Sequence, residues 1–167
     1  DGVGFFILVF ASVFFIIDPF ANIPIFILFL EKFSHEERKK IIQKSSVIAF
    51  VVFFFFSFFG TTIFEYLGVQ VFSFKIAGGI LLSLISLEML FGFKSRTEFT
   101  EKEQEHAELQ ENLAVTPLAI PLITGPGAIT TGIVLASRAS GTEQLGLFVV
   151  ASIAAFVASY FLLMQSK

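Results

Sequence analysis

Residues 15–26 read FIIDPFANIPIF, and this stretch decides the fold. It places Asp18, Pro19, Asn22 and Pro24 inside a run that is otherwise apolar and carries no second charge from Val3 to Leu30. At 1.5 Å per residue a helix over that run is about 42 Å long, more than the ~30 Å of a hydrocarbon core. Asp18 then falls near mid-membrane, where an aspartate costs roughly 2.5–3.5 kcal/mol, and each proline deletes a backbone donor and crowds the turn before it. Lipid cannot satisfy the groups left open. The stretch therefore predicts a broken helix that lines a polar cavity inside protein.

The rest of the composition agrees with a membrane chain. Of 167 residues 55% are hydrophobic, mean hydropathy is +0.85, and the charges fall in a few short blocks. A net charge of −3 without a basic face offers nothing to nucleic acid. The absence of cysteine excludes a disulfide frame, thiolate metal sites and iron–sulfur clusters, and no cofactor or metal site is expected. There are 25 phenylalanines and no tryptophan, which reads as lipid-facing bulk with only Tyr66 and Tyr160 to anchor at the interfaces. The chain starts at Asp1, and its first apolar run is too long and too poor in flanking bases for a signal peptide, so it reads as a segment cropped from a longer protein.

Five spans are expected. After Val3–Leu30 comes the basic loop 31–44, with Lys32, Arg38, Lys39, Lys40 and Lys44, in which Ser34 and Glu37 have capping-box spacing and start a short helix. The second span is Ser45–Leu67, with Glu65 at the interface. The third is Val69–Phe93, whose Gly78-Gly79 pair and Ser73, Ala77, Ser83 and Ser86 suit close packing. The charged linker 94–112 is too polar to insert. Leu113–Ser137 follows, interrupted by Pro117, Pro121 and Thr124-Gly125-Pro126-Gly127, and Gln144–Met164 is a regular fifth span rich in Ala and Ser.

Lys and Arg concentrate in loops 31–44 and 94–112, which places both loops in the cytoplasm and the N-terminus outside. Broken spans recur with a period of three, at Pro19 and at Pro126. The fold class is thus an all-α polytopic transmembrane bundle with an inverted 3+3 repeat. Residues 1–167 form one membrane domain, with 1–93 the first repeat and 113–167 the second, lacking its last helix. Interrupted helices at matching positions of two such halves point to a transporter's binding site.

A broken helix exposes amides at the start of its second half and carbonyls at the end of its first, attractive to anions and cations respectively. Asp18 and Thr124-Gly125 precede prolines suited to a first helical position, and Gly125 and Gly127 let a small ligand approach backbone amides. The candidate substrate-binding residues are Asp18, Asn22, Thr124, Gly125, Gly127 and Thr130, with Pro19, Pro24, Pro121 and Pro126 as helix breakers. Each has a plainer role beside it. Asp18 can serve only as a cap, Asn22 can satisfy a carbonyl released by Pro24, and Thr130 and Thr131 can bond back within their helix. Glu88 is a weaker candidate for a coupling ion, and His35 and His106 sit in polar loops.

At these stretches the sequence resembles the MarC family of bacterial and archaeal inner-membrane proteins. DPFANIPIF (18–26), PLAIPLITGPGAIT (117–130) and IAGGILLSLISLEML (76–90) match its marked segments, and the likeness covers essentially the whole chain. The resemblance implies six spans, three plus three, and for some members transport of small neutral amino acids. The expected function is a multi-pass plasma (inner) membrane secondary transporter of a small polar solute working by alternating access, with room for a coupling ion, H+ or Na+. The alternatives are drug or metabolite efflux, or a channel or non-transporting subunit. An enzyme finds no HExxH pair, membrane histidine or second deep carboxylate. The expected partners are the lipid bilayer and the solute, with a homo-oligomer left open.

Overall fold

The opening apolar run folds as two helices in tandem, α1 (Gly2–Ile17) and α2 (Pro19–Leu30), separated by a single residue, Asp18. The computed structural model describes residues 2–31, 33–68, 70, 72, 73, 76, 80, 83, 87 and 114–165. The remaining elements are α3 (His35–Tyr66), a π-helix α4 (Ala114–Ile123), α5 (Pro126–Arg138) and α6 (Gly141–Met164). Among the described residues three stretches are long and apolar enough to cross a membrane: Gly2–Leu30, His35–Tyr66 and Gly141–Met164. Expectations for the third span, including Gly78-Gly79 and Glu88, and for the linker 94–112 with His106 lie outside the described residues.

The capping box at the start of α3 is present. Glu37 N–H donates to Ser34 Oγ, and the Glu37 carboxylate accepts from Ser34 N–H at 2.9 Å and from its hydroxyl at 2.7 Å. Arg38 completes the corner by donating to the Phe33 carbonyl at 2.9 Å and the Glu31 carbonyl at 2.8 Å, a cation set at the C-terminal end of α2. The cap, however, starts no separate short helix. Residues 35–66 form one continuous helix of 32 residues, so most of what reads as loop 31–44 is the solvated first turns of α3. No glycine or proline interrupts His35–Phe59, and the backbone has no reason to stop at the polar-to-apolar transition.

Two of the expected breakers also behave differently. Pro24 lies inside α2, which runs on to Leu30, and Pro121 lies inside α4. An isolated proline deletes one hydrogen bond but need not end a helix whose other bonds persist. α4 winds in the wider π pattern, and the Thr124 N–H accordingly reaches back five residues to the Ala119 carbonyl at 2.9 Å.

The helices pack reciprocally. α6 lies along α1 and α2, α3 lies along α4 and α5, α1 packs on α5 and α2 on α4. This pattern is preserved when α1, α2 and α3 are exchanged for α4, α5 and α6. The directions agree: Ala49 meets Thr124 while Gly60 meets Ile133, so α3 runs parallel to the α4–α5 span. Gly2 lies beside Leu147, near the start of α6, and α2 reaches α6 further on, so these too run parallel. Phe50 against Phe156 and Phe58 against Phe148 make α3 and α6 antiparallel.

Small residues set the spacing at α3. Its buried stripe is Ser45, Ala49, Phe53, Ser57, Gly60 and Phe64, and a Cβ on Gly132 of α5 would collide with Ser57 Oγ and stand 2.9 Å from the Phe53 ring. The phenylalanines are divided. Phe15, Phe20 and Phe59 face outward as lipid-side bulk, but Phe53 and Phe148 are fully buried and interleave with Phe54 and Phe156 in an aromatic seam between α3 and α6. On α6, Ala151, Ser152, Ala155 and Ser159 form the buried face expected of its small residues.

Gly132→Ala is expected to cost about 1–3 kcal/mol by overpacking the α3–α5 crossing. Gly146→Ala, where an added Cβ meets nothing within 4 Å, should leave the unfolding midpoint unchanged or raised. Thermal unfolding of the two variants in detergent is the comparison that checks this.

Candidate functional site at the two helix breaks

The first break is one residue wide. Asp18 has φ 46° and ψ 64°, the only non-glycine residue with positive φ among those described. The cause is local, because a residue before proline is barred sterically from the right-handed helical region, and aspartate is among the few that tolerate the left-handed one. Asp18 still donates its N–H to the Phe14 carbonyl, closing α1, and its own carbonyl accepts from Asn22 N–H, opening α2, each at 3.1 Å. The helix axis is thus interrupted with almost no loss of hydrogen bonds.

Two side chains repair what remains. Asp18 Oδ1 accepts from the Ala21 N–H at 3.2 Å, capping α2, whose first residue Pro19 has no N–H to satisfy. Ala21 N–H would otherwise have reached the Ile17 carbonyl. Asn22 takes its place there, donating from Nδ2 to Ile17 O at 2.7 Å, and Asn22 is only 5% exposed. The partner of Asn22 is thus the carbonyl that ends α1, not one released by Pro24. The Asp18 side chain is exposed.

The second break spans Thr124 and Gly125. Thr124 is 1% exposed, and its hydroxyl is directed to the Ala49 carbonyl of α3 at 3.2 Å and the Ala119 carbonyl of α4 at 3.1 Å. It therefore fastens the end of α4 to the backbone of α3. Gly125 is the N-cap of α5 in an extended conformation, φ −72° and ψ 176°, and supplies no side-chain cap. Pro126 follows at the first helical position, and the first helical N–H bond in α5 returns from Ile129 to Gly125 O at 3.1 Å. The Gly127 and Ala128 amides thus lie ahead of the hydrogen-bonded ladder, on residues that are themselves buried. Thr130 bonds back to the Pro126 carbonyl at 2.7 Å.

Because α1 packs on α5 and α2 on α4, the α1–α2 and α4–α5 helix pairs run side by side in opposite directions. Asn22 Nδ2 and the Thr124 and Thr130 hydroxyls are committed to backbone carbonyls. Asp18 keeps carboxylate capacity beyond its one cap bond, and the Gly127 and Ala128 amides precede the first backbone bond of α5. No sequence signal marks Ala49, which acts through its carbonyl, or Gly60 and Gly132. Among the described residues no group of three or more His, Cys, Asp or Glu is placed to hold a metal.

The family described as MarC family integral membrane protein matches residues 3–167. A UPF0056 membrane protein of Archaeoglobus fulgidus is 45% identical over 151 residues, 90% of this chain and 70% of the relative. One from Methanocaldococcus jannaschii is 36% identical, covering 98% and 79%, and YvbG of Bacillus subtilis is 34% identical, covering 95% and 75%. These names state a membrane location and no reaction. No solved structure matches the chain.

Replacing Asn22 with leucine strands the Ile17 carbonyl in a dry environment and should cost about 1–3 kcal/mol. Thr124→Val, which leaves Ala119 O still bonded by the Thr124 backbone N–H, should cost less, about 1 kcal/mol. Unfolding midpoints in detergent that rank wild type above Thr124→Val above Asn22→Leu are the expected result.

Proposed function

The chain belongs to the MarC family of integral membrane proteins, and from that premise we propose that it is a secondary transporter of a small zwitterionic solute, a small neutral amino acid such as glycine or alanine. One observation carries the reading: two interrupted helices, one in each half, lie side by side in opposite directions. The exchange symmetry of the packing supports an inverted-topology repeat, the architecture in which rocking of one half against the other gives alternating access. The plasma membrane is its location, with the N-terminus outside and the basic start of α3 in the cytoplasm, in keeping with the distribution of Lys and Arg.

Within this reading the roles divide by what each group has left to give. The carboxylate of the solute sits on the Gly127 and Ala128 amides at the positive end of α5, reached across Gly125. Its ammonium pairs with Asp18. Asn22, Thr124 and Thr130 hold the breaks open in a fixed shape, and a proton or sodium gradient drives the cycle.

The test is uptake of radiolabelled glycine and alanine into proteoliposomes under an imposed proton or sodium gradient. Asp18→Asn keeps the cap and tolerates the left-handed backbone but removes the charge, so it should fold normally and lose uptake at least about tenfold. Gly125→Leu should abolish uptake by covering the amides. Transport by both variants at the wild-type rate would refute the assignment, and absence of uptake by the wild type for any small amino acid would refute the transporter reading.

A further inference from the structure

Away from the breaks, a groove of about 290 Å³ opens between the first membrane turns of α3 and the last of α6. It is graded along its length. Gln43, Ser46 and Tyr160 line one end, and Phe50, Ile153 and Val157 line the other. The antiparallel register of α3 and α6 puts the polar residues together at the end where α3 begins and α6 stops. Ser46 Oγ is buried there with no hydrogen-bond partner, unlike Ser45 and Ser57 of the same helix, which bond back to carbonyls four residues earlier. Ser46 Oγ is thereby placed to donate to an oxygen of a molecule in the groove.

The same face of α3 continues outward to Lys39 and Lys40, both exposed, four and three residues before Gln43. Glu36 lies a further turn out, beyond the lysines. From Lys39 the helix rises about 6 Å to Gln43, about 10 Å to Ser46 and about 16 Å to Phe50. Cations first, then hydrogen-bonding groups, then aromatic and aliphatic walls, reproduce in order the phosphate, glycerol-ester and acyl layers of a phospholipid. We infer that the groove binds one anionic phospholipid, its phosphate held by Lys39 and Lys40, its ester oxygens by Gln43 and Ser46, and one acyl chain along Phe50, Ile153 and Val157.

The inference is independent of the transport reading, since lipid retention and solute uptake are measured separately. The full chain is reconstituted with equal phosphatidylglycerol and phosphatidylcholine, extracted in mild detergent, and its retained lipid counted by native mass spectrometry. Phosphatidylglycerol should be kept over phosphatidylcholine by at least about fivefold, the effect of one lysine–headgroup pair. The double variant Lys39→Ala/Lys40→Ala should bring the ratio near one and Ser46→Ala should lower it. Arg138→Ala, at the far end of α5, should leave it unchanged, with unfolding midpoints confirming that all variants fold. Equal retention of the two lipids, a ratio indifferent to the lysines, or efficient disulfide crosslinking of Val47→Cys to a second copy would overturn the assignment.

Discussion

A backbone polar group inside a bilayer has no water to fall back on, and this constraint organises the protein. An uninterrupted helix meets it automatically; an interrupted one must find substitutes within reach. At Asp18 the substitution is nearly complete. One left-handed residue keeps both its own backbone bonds, its carboxylate takes the Ala21 amide, and the Asn22 amide takes the carbonyl that Ala21 gave up. The strain of a left-handed aspartate, about 1–2 kcal/mol, is of the same size as what a cap and one buried hydrogen bond return. The break is therefore a stable feature of the resting fold.

The second break meets the same constraint by other means. α4 takes the wider π winding, and the Thr124 hydroxyl and N–H close its end on Ala119 while tying it to Ala49 of the neighbouring helix. At the start of α5 the N-cap Gly125 makes no side-chain cap. The two breaks are thus unlike, the first built around a carboxylate and the second around backbone amides with no side-chain cap from Gly125. Their mutual placement depends on the crossing of α1 with α5 and α2 with α4, and the close approach of α5 to α3 depends in turn on Gly132 and Gly60, where no Cβ fits without displacing a neighbour.

Much of this was legible before any coordinates. Pro19 and Pro126 mark helix starts because proline's missing N–H is harmless at a first position and its ring fixes the entry angle. Ser34 and Glu37 mark the start of α3 because their spacing closes two hydrogen bonds at once. Pro24 and Pro121 read as breaks from sequence, yet each lies inside a helix. The same chemistry has different outcomes according to whether the neighbouring bonds survive, as around Pro24, or the winding can widen, as around Pro121. The phenylalanines misled in the same way, since composition cannot distinguish Phe59, turned outward, from Phe53, buried in the seam with α6.

What the sequence determined by itself was local and one-dimensional: apolar runs long enough to span a membrane, their interruption at two marked points, and the caps that start helices. These follow from hydropathy, proline geometry and fixed short spacings, all of which act within a few residues. What only the tertiary structure decided was which groups meet across the bundle. Asn22 answers Ile17, Thr124 answers Ala49, and α5 seats itself against α3 at Gly132. Those pairings depend on backbone carbonyls, which every residue carries and no sequence distinguishes, and on the angle at which one helix crosses another.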